Sequence, residues 1–413
     1  MSVPDVDILS LEAPVTRTSP AAWKARSQRG WVTFSCALFL VGAGFLANTE
    51  SLTQALLYLI AGVLGLALYH AHFGFTTAWR NFLVYGRGAG IRAQMITFLI
   101  ANILFLPVLL HGHWFGHSVS GYVFPVGMSV LAGSFLFGMG MQLGDGCASG
   151  TLYHTGGGDV RGILTLIGFV LGSVLGSLNF PWWMKTPHFQ PISLLKVFGP
   201  AEGLALELVM LTAVFGLALL VERLRNGSVI PIIQKRGRFD WRAIVKGPWS
   251  LIAGGVLLAV GNVLVLLLSG KPWGVTFAFA LWGAKIAQGI GLPIAHWGYW
   301  QISANSSALH HSIFHDATTV LDLGVIVGAL LAASLAGRLP KPYLRRFPTR
   351  MLVAVVLGGI FMGYGARIAF GCNIGSYFSG IASFSLHGWL WFISALFGSA
   401  IGVKLRPLFA HTN

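Results

Sequence analysis

Charged residues are scarce in this chain of 413 residues. They make up only 9% of it, whereas 55% of the residues are hydrophobic and the mean hydropathy is +0.73. So few polar side chains cannot cover a water-facing surface, which excludes an ordinary soluble globular protein. Acidic residues are the scarcest, with 12 Asp and Glu against 27 Lys and Arg, and the formal net charge is +15. The composition indicates a protein embedded in a lipid bilayer.

Cysteine is nearly absent as well. Three cysteines make no disulfide framework, and no C-x-x-C pair provides a zinc site. Cys36 lies in an apolar run, and we expect it to be a small buried hydrophobic residue. The G-x-x-x-x-G-K-[ST] motif is missing too, which argues against ATP hydrolysis by this chain. The sequence therefore predicts no cofactor.

Two histidine groups fall between apolar runs. Without a third ligand of defined geometry, solvated loops are the better interpretation, and we predict no metal site. The groups are His111, His113 and His117, and His310, His311 and His315 with Asp316.

Long apolar runs, by contrast, are frequent. A helix needs roughly 20 apolar residues to cross a bilayer, and the sequence holds about nine to ten such runs. Most basic residues form short clusters between the runs, as they do on the cytoplasmic side of membrane proteins. Membrane topology explains the positive charge better than a nucleic-acid partner does. The pattern predicts a cytoplasmic N-terminus, and we interpret Trp31 to Ala47 as a retained span rather than a signal peptide.

A repeat divides the chain. Gly138-x-Gly140 followed by Gly146-Cys147-x-x-Gly150 returns as Gly363-x-Gly365 followed by Gly371-Cys372-x-x-Gly375. When each run crosses once, the Cys147 loop lies at the cytoplasmic side and the Cys372 loop at the outer side, so the two copies are inverted. We expect an all-α polytopic membrane protein with two inverted repeats and re-entrant loops.

The domain organisation follows from the repeat and the basic clusters. The predicted parts are a cytoplasmic tail (1–30), a first membrane repeat (31–221), a cytoplasmic basic linker (222–247), a second membrane repeat (248–406) and a C-terminal tail (407–413).

Glycine-rich segments between the runs are candidates for a substrate path. His72 to Arg80 and Trp273 to Thr276 share a Gly-x-Thr pattern, and irregular backbone at membrane depth is tolerated only where protein or a water-filled cavity satisfies it. Glycine loops that lead into helix N-termini expose N–H groups suited to an anion. Gly146 and Gly371 fit this purpose, although such glycines also serve close helix packing, which is our interpretation of Gly172, Gly176, Gly398 and Gly402.

Two ionisable residues lie near apolar surroundings. Lys285 and Arg367 mark a substrate path by default, with snorkelling to the interface as the alternative. Asp145 pairs with one of them or with Arg161. His387, at the start of the last run, is also placed for the path.

The run from Gly363 to Trp389, which contains Cys372 and His387, closely resembles the YeeE/YedE family of bacterial inner-membrane proteins, the sulphur-transport domain family. The segment from Leu143 to Gly150 around Cys147 is similar to the first-half loop of that family, and His72 to Arg80 is similar to its early loop. The resemblance covers both halves of the membrane region.

The resemblance implies a transporter, not an enzyme, that takes up an inorganic sulfur-containing anion, with thiosulfate as the best-known substrate. It implies that Cys147 and Cys372 contact the substrate in succession through S–H hydrogen bonds. A third family cysteine falls where this chain has Gly74, which leaves room for a selenium or other reduced sulfur species, with Thr76 or His72 as substitutes for the thiol. A small sulfurtransferase partner is implied by analogy. The rival hypothesis is a membrane-embedded sulfur-transfer enzyme that forms a persulfide.

Overall fold

The structure, a computed structural model, describes residues 27–232, 241–339 and 347–411. Most of the predicted N-terminal tail, part of the predicted linker, residues 340–346 of the second repeat and the last two residues of the predicted C-terminal tail lie outside the described residues.

Helices make up nearly all of the regular structure. The first half contains α1 (Arg29–Thr49), α2 (Leu52–Ala71), α3 (Phe75–Tyr85), α4 (Ala89–His111), α5 (Met128–Leu143), α6 (Ala148–Gly156), α7 (Val160–Trp183), α8 (Leu194–Phe198) and α9 (Pro200–Asn226). The second half contains α10 (Trp241–Lys246), α11 (Leu251–Ser269), α12 (Thr276–Gly289), α13 (Ser303–His310), α14 (Ala317–Leu335), α15 (Thr349–Ile368), a π-helix (Asn373–Ser379), α16 (Gly380–Ala382) and α17 (Leu386–Leu405).

Short turns and strands complete the described chain. Single 3₁₀ turns lie at Ile294–His296, Ile313–His315 and Arg406–Phe409. Two antiparallel strand pairs of two residues each join β1 (His113–Trp114) to β2 (His117–Ser118) and β3 (Val126–Gly127) to β4 (His188–Phe189).

Helix ends follow local sequence signals. The Ser51 side chain accepts from Gln54 N at the start of α2, and Ser250 accepts from Ala253 N at the start of α11. Each serine satisfies one N–H group that the first turn leaves without a partner. Glycines in the left-handed conformation end α4 at Gly112 and α11 at Gly270, because a residue without Cβ adopts this conformation at little cost.

Nine helical segments in the described part of the chain are long and apolar enough to cross a membrane. This confirms the all-α polytopic class. The apolar run that starts near Tyr122 would have been a tenth span, but it is not among these nine. Helix α5 begins only at Met128 and has 16 residues, which is shorter than a bilayer requires.

Cys36 also departs from its prediction. It lies on α1 and is exposed, not buried. Because α1 packs against α2 and α14 with only part of its surface, an apolar run there does not imply burial inside the protein.

The two halves meet along α5 and α15. A Cβ added to Gly140 would lie 2.6 Å from Gly358 O, and a Cβ added to Gly133 would lie 2.7 Å from Gly365 O. The contact therefore runs from early α5 against late α15 to late α5 against early α15, so the helices are antiparallel. Gly140 and Gly365 occupy equivalent positions in the two repeats. Exchanging the two halves therefore gives the same contact between α5 and α15 again.

Helices α7 and α17, which flank α5 and α15, show the same symmetry between the two halves. Ser173 Oγ of α7 donates to Gly363 O of α15, and Ser399 Oγ of α17 donates to Gly138 O of α5. Likewise α2 packs on α14 as α11 packs on α4. The packing is that of two inverted repeats, as predicted.

Glycines on α7 and α17 allow the helices to pack this closely. A Cβ added to Gly172 would overlap Ile360 O, and one added to Gly398 would overlap Phe135 O. These glycines serve helix contact, as we interpreted them.

Candidate functional site

Each repeated cysteine caps a short helix that turns back within its half. Cys147 is the N-cap of α6 and Cys372 the N-cap of the π-helix, both with extended backbone. The amide of Thr151 donates to Cys147 O over 2.7 Å, and the equivalent amide of Ser376 donates to Cys372 O over 2.8 Å. The side chains are 2% and 0% exposed, respectively. The two loops thus place their sulfur atoms in the same local geometry.

The residue two before each cysteine has an unusual backbone. Asp145 has φ 55° and Phe370 has φ 61°, a conformation that costs a non-glycine residue energy and persists only when the surroundings impose it. Its occurrence at equivalent positions shows that both loops need the same sharp turn before the cysteine.

Backbone amides point toward both sulfur atoms. The amides of Ser149 and Gly150 lie near Cys147 Sγ, and those of Ile374 and Gly375 lie near Cys372 Sγ. Such amides at a helix N-terminus suit a negatively charged ligand. Anion binding by the Gly146 and Gly371 loops stays a prediction, which this arrangement of amides favours.

Both thiols are neutral at ordinary pH. They lie between the candidate spans, and burial raises the pKa of Cys147 above its usual value. For Cys372, burial raises the pKa to about 12, with smaller contributions from Cys147 and Asp322. A neutral thiol is a weak hydrogen-bond donor and a poor nucleophile.

The cysteine loops meet each other and the two early loops. Helix α6 contacts the π-helix. In the first half, a Cβ on Gly74 would lie 3.6 Å from Tyr153 Oη of α6. In the second half, a Cβ on Gly375 would lie 4.0 Å from Gly274 Cα. All four predicted loops therefore converge in the interior.

Gly74, the position of the missing third thiol, has room for a side chain. Its φ is −109°, and the nearest atoms that a Cβ would meet are 3.6 Å away. The backbone does not require glycine there.

Several buried polar atoms near Cys372 have no hydrogen-bond partner among the described residues. Neither side-chain atom of Asn373 has a partner, and neither does Tyr377 Oη or His387 Nε2. Thr76 Oγ1, on α3, likewise has no hydrogen-bond partner among the described residues. Unpartnered buried polar groups are rare in proteins and costly, so these atoms are available to a polar ligand.

The Cys147 side carries a charged cluster. Asp145 Oδ1 lies 2.7 Å from Arg80 Nη1 and 3.1 Å from Arg406 Nη1, and Asp145 Oδ2 lies 3.3 Å from Arg161 Nη1. Burial opposes ionisation of Asp145, but the three guanidinium groups outweigh it and hold its pKa well below the usual value. Asp145 pairs with Arg161, one of the predicted partners, and not with Lys285 or Arg367.

A small cavity opens beside this cluster. It is lined by Gly144, Asp145, Gly146, His154 and Arg161, among others. The three arginines of the cluster outnumber its two carboxylates, Asp145 and Asp159. The cluster as a whole therefore carries a net positive charge, and three of its members, Asp145, Asp159 and Arg161, line the cavity.

Lys285 and Arg367 are engaged with the protein. Lys285 Nζ donates to Leu309 O over 2.9 Å and to His311 O over 2.7 Å. Arg367 is buried, donates to Tyr299 Oη over 2.7 Å and lies 5.0 Å from the centre of the same ring. The structure does not place Lys285 beside the cysteines, and Arg367 has an uncharged partner.

The predicted histidines divide between two places. His387 is fully buried, with Nδ1 2.8 Å from Ser385 Oγ and its ring edge against Phe124. His72 ends α2 in the left-handed conformation with its ring against Tyr69. Neither His387 nor His72 bonds directly to a cysteine.

Two residues of the site, Asn373 and Arg406, were not predicted from the sequence. Asn373 follows Cys372 directly, and its polarity in an apolar run was a signal. Arg406 reaches Asp145 from the far end of the chain, and no local pattern indicates this contact. In the described ranges, no cluster of three His, Cys, Asp or Glu could hold a metal ion.

Comparison with known proteins gives this geometry a context. The family described as Sulphur transport matches residues 70–401. The chain is 26% identical to the thiosulfate transporter TsuA of Spirochaeta thermophila over 354 residues, covering 83% of this chain and 95% of that protein. It is 24% identical to TsuA of Escherichia coli over 66% of this chain and 72% of that one.

A second group of relatives matches a shorter region. The chain is 31% identical to the probable transporter YedE of Escherichia coli over 165 residues, which is 39% of each protein. The match therefore spans about two fifths of the length of the YedE relatives.

Proposed function

Because this chain belongs to the Sulphur transport family, as its resemblance to YeeE/YedE proteins predicted, we propose that it takes up thiosulfate across the bacterial inner membrane. It is a multi-pass membrane protein with inverted repeats, an architecture in which the substrate path lies between the repeats. The path we propose passes Cys372 and then Cys147.

The observation that carries the proposal is the matched environment of the two thiols. Each sulfur lies at a helix N-terminus under backbone amides, and the two short helices touch. A thiosulfate ion between them would receive N–H donors and an S–H donor from each half. Its terminal sulfur is soft and polarisable, which suits a thiol contact better than it suits a hard oxygen ligand.

The arginine cluster would attract an anion toward one end of the proposed path. Arg80, Arg161 and Arg406 lie on the Cys147 side, which we assign to the cytoplasm because the basic clusters lie there. An anion that passes Cys147 would meet these guanidinium groups, and Asp145 holds them in position without neutralising them.

The thiol environment weighs against a persulfide-forming enzyme. Such chemistry needs a thiolate stabilised by a nearby cation or another source of low pKa, whereas burial raises the pKa of both thiols. We therefore propose transient S–H contacts with the anion and no covalent intermediate.

The open space at Gly74 bears on substrate choice. With two thiols on the path in place of three, a related reduced sulfur or selenium species competes with thiosulfate. Selenite and sulfite are the informative competitors in an uptake measurement.

Reconstituted vesicles test the proposal. Purified protein in proteoliposomes should take up ³⁵S-thiosulfate, and Cys147→Ala or Cys372→Ala should abolish this uptake. Cys36→Ala is the matched control, because Cys36 is exposed on α1 and far from the loops in the chain; it should transport normally. Normal uptake by both loop variants, at equal reconstitution, would exclude the thiol path.

A further inference from the structure

An acidic residue, Asp322, lies within a candidate membrane span and makes no hydrogen bond to the site described above. Asp322 belongs to α14, is 0% exposed, and has no hydrogen-bond partner at either carboxyl oxygen. An ionised carboxylate buried without a partner is very costly, and ionisable groups inside membranes mark ion or proton paths. The described structure is thus compatible with Asp322 in its neutral, proton-carrying form.

The position of Asp322 on α14 places it on the face directed at the substrate path. Thr319, one turn earlier, accepts from Trp282 Nε1 of α12, and Ile326 and Ala329, one and two turns later, pack on Gly156 of α6. Residues three and four apart share a helix face. Asp322 therefore points between α12 and α6, which is the helix that Cys147 caps.

Asp322 also lies within electrostatic range of the other cysteine. Its charge is one of the contributions that raise the pKa of the Cys372 thiol. Asp316, the N-cap of α14, is the other ionisable group that acts on Asp322. A proton on Asp322 would therefore make the site more favourable for an anion at Cys372.

Several of the remaining ionisable groups on helices and turns packed against α14 have other partners. Lys285 of α12 binds two backbone carbonyls, His315 of the 3₁₀ turn binds Glu50, and Tyr58 of α2 donates to Leu38 O. His70 of α2 packs against Trp249. The others on these elements are Arg29 and Cys36 of α1, Tyr69 of α2, Tyr153 and His154 of α6, and Lys246 of α10. No hydrogen bond or ion pair among the described residues reaches the Asp322 carboxyl.

We propose that Asp322 is a proton-binding site that couples inward movement of the anion to inward movement of a proton. A proton from the Cys372 side binds the carboxylate, the anion then occupies the loops, and the O–H proton is released on the Cys147 side as the anion leaves. This inference rests on the proposed uptake of thiosulfate. It gives that uptake an energy source, because a dianion moving toward a negative interior is driven outward by the membrane potential.

The test uses full-length protein in vesicles with the membrane potential clamped at zero. For one proton per anion, an outside pH one unit lower should raise the accumulation of ³⁵S-thiosulfate about tenfold, because one pH unit is a tenfold concentration ratio. Asp322→Asn should keep thiosulfate exchange without a gradient but lose the tenfold accumulation, and Asp322→Glu should restore it.

Glu207→Gln is the matched control. Glu207 is a buried carboxyl in α9, but it accepts from Trp389 Nε1, a bond that glutamine retains. This variant should accumulate thiosulfate as the wild type does. Tenfold accumulation by Asp322→Asn, or gradient-independent accumulation by the wild type, would overturn the proton site.

A second readout does not depend on transport. Infrared difference spectra between wild type and Asp322→Asn should show a protonated-carboxyl C=O band that is lost in the variant. A missing band refutes the proton site even if thiosulfate moves. Absence of all thiosulfate exchange in the wild type, with the band present, would instead refute the proposed substrate.

Discussion

The Cys147 loop and the Cys372 loop share a backbone but differ in their surroundings. Both place a left-handed residue two positions before the cysteine. In the first loop that residue is Asp145, bound by three arginines; in the second it is Phe370, stacked on Phe124 at 5.0 Å. The repeat preserves the turn that positions a thiol, while the side chain at the turn differs with the side of the membrane.

The difference has a functional consequence. The Cys147 loop lines a small cavity beside its arginine cluster, whereas Phe370 of the Cys372 loop stacks on Phe124 and the Asn373 side chain has no hydrogen-bond partner among the described residues. We interpret the Cys147 side as the more open end of the proposed path. Three experiments test this difference between the two loops.

The largest effect is expected at the glycines that precede the cysteines. Gly371 has φ 150°, and a Cβ there would lie 2.8 Å from Ser376 Oγ. Gly371→Ala should therefore cost about 1–3 kcal/mol of stability and abolish thiosulfate uptake. Gly146 is outside the left-handed region and its nearest contact is 3.4 Å, so Gly146→Ala should lower stability by less than about 1 kcal/mol. Thermal unfolding in detergent and vesicle uptake measure both, and equal losses would contradict the comparison.

A smaller effect is expected from the charge at the first turn. Asp145→Asn removes the carboxylate that binds three arginines, and we expect a loss of about 1–2 kcal/mol, since the Asp145 side chain is 24% exposed. The pKa of Asp145 is lowered in the folded protein, so its contribution is complete above the unfolded pKa of about 3.9 and is lost as the pH falls through the folded value.

The unfolding temperatures of wild type and Asp145→Asn should therefore differ by a constant amount between neutral and mildly acidic pH. The equivalent change, Phe370→Leu, should cost roughly 1 kcal/mol with no pH dependence. A wild-type advantage that disappears near neutral pH would refute the ion cluster.

The smallest perturbation labels the two thiols without replacing them. In a Cys36→Ala background, N-ethylmaleimide should modify Cys147, beside the cavity, several-fold faster than Cys372, whose pKa is raised by burial to about 12. Raising the pH should speed both reactions, because the thiolate reacts, and saturating thiosulfate should protect both. Denatured protein, in which both thiols are exposed, provides the reference rates. Faster labelling of Cys372 would reverse our assignment of the open side.

Much of the fold could be predicted from periodic or repeated features of the sequence. Apolar runs predicted the membrane helices, and the Gly-Cys repeat predicted equivalent loops around Cys147 and Cys372. The prediction was wrong where burial depends on neighbours. Cys36 lies in an apolar run yet is exposed, because α1 lies at the edge of the helix assembly.

Less of the candidate site could be predicted from the sequence. Lys285 and Arg367 were singled out because they are charged residues among apolar ones, and the same signal, applied to acids, indicates Asp322. The three residues differ in their contacts, which no local sequence pattern predicts. Lys285 donates to two carbonyls and Arg367 donates to a tyrosine, whereas Asp322 has no hydrogen-bond partner in the described chain.

Hydropathy, glycine spacing and the duplicated cysteine are properties of the linear chain, so the sequence by itself determined that this protein lies in a membrane, that its halves are related, and that two thiols are equivalent. Only the tertiary structure decided that Arg406 joins Arg80 and Arg161 around Asp145 and that the buried Asp322 carboxyl has no hydrogen-bond partner among the described residues. The physical reason is that pairing and burial depend on which distant helices touch, and that follows from the antiparallel packing of α5 against α15.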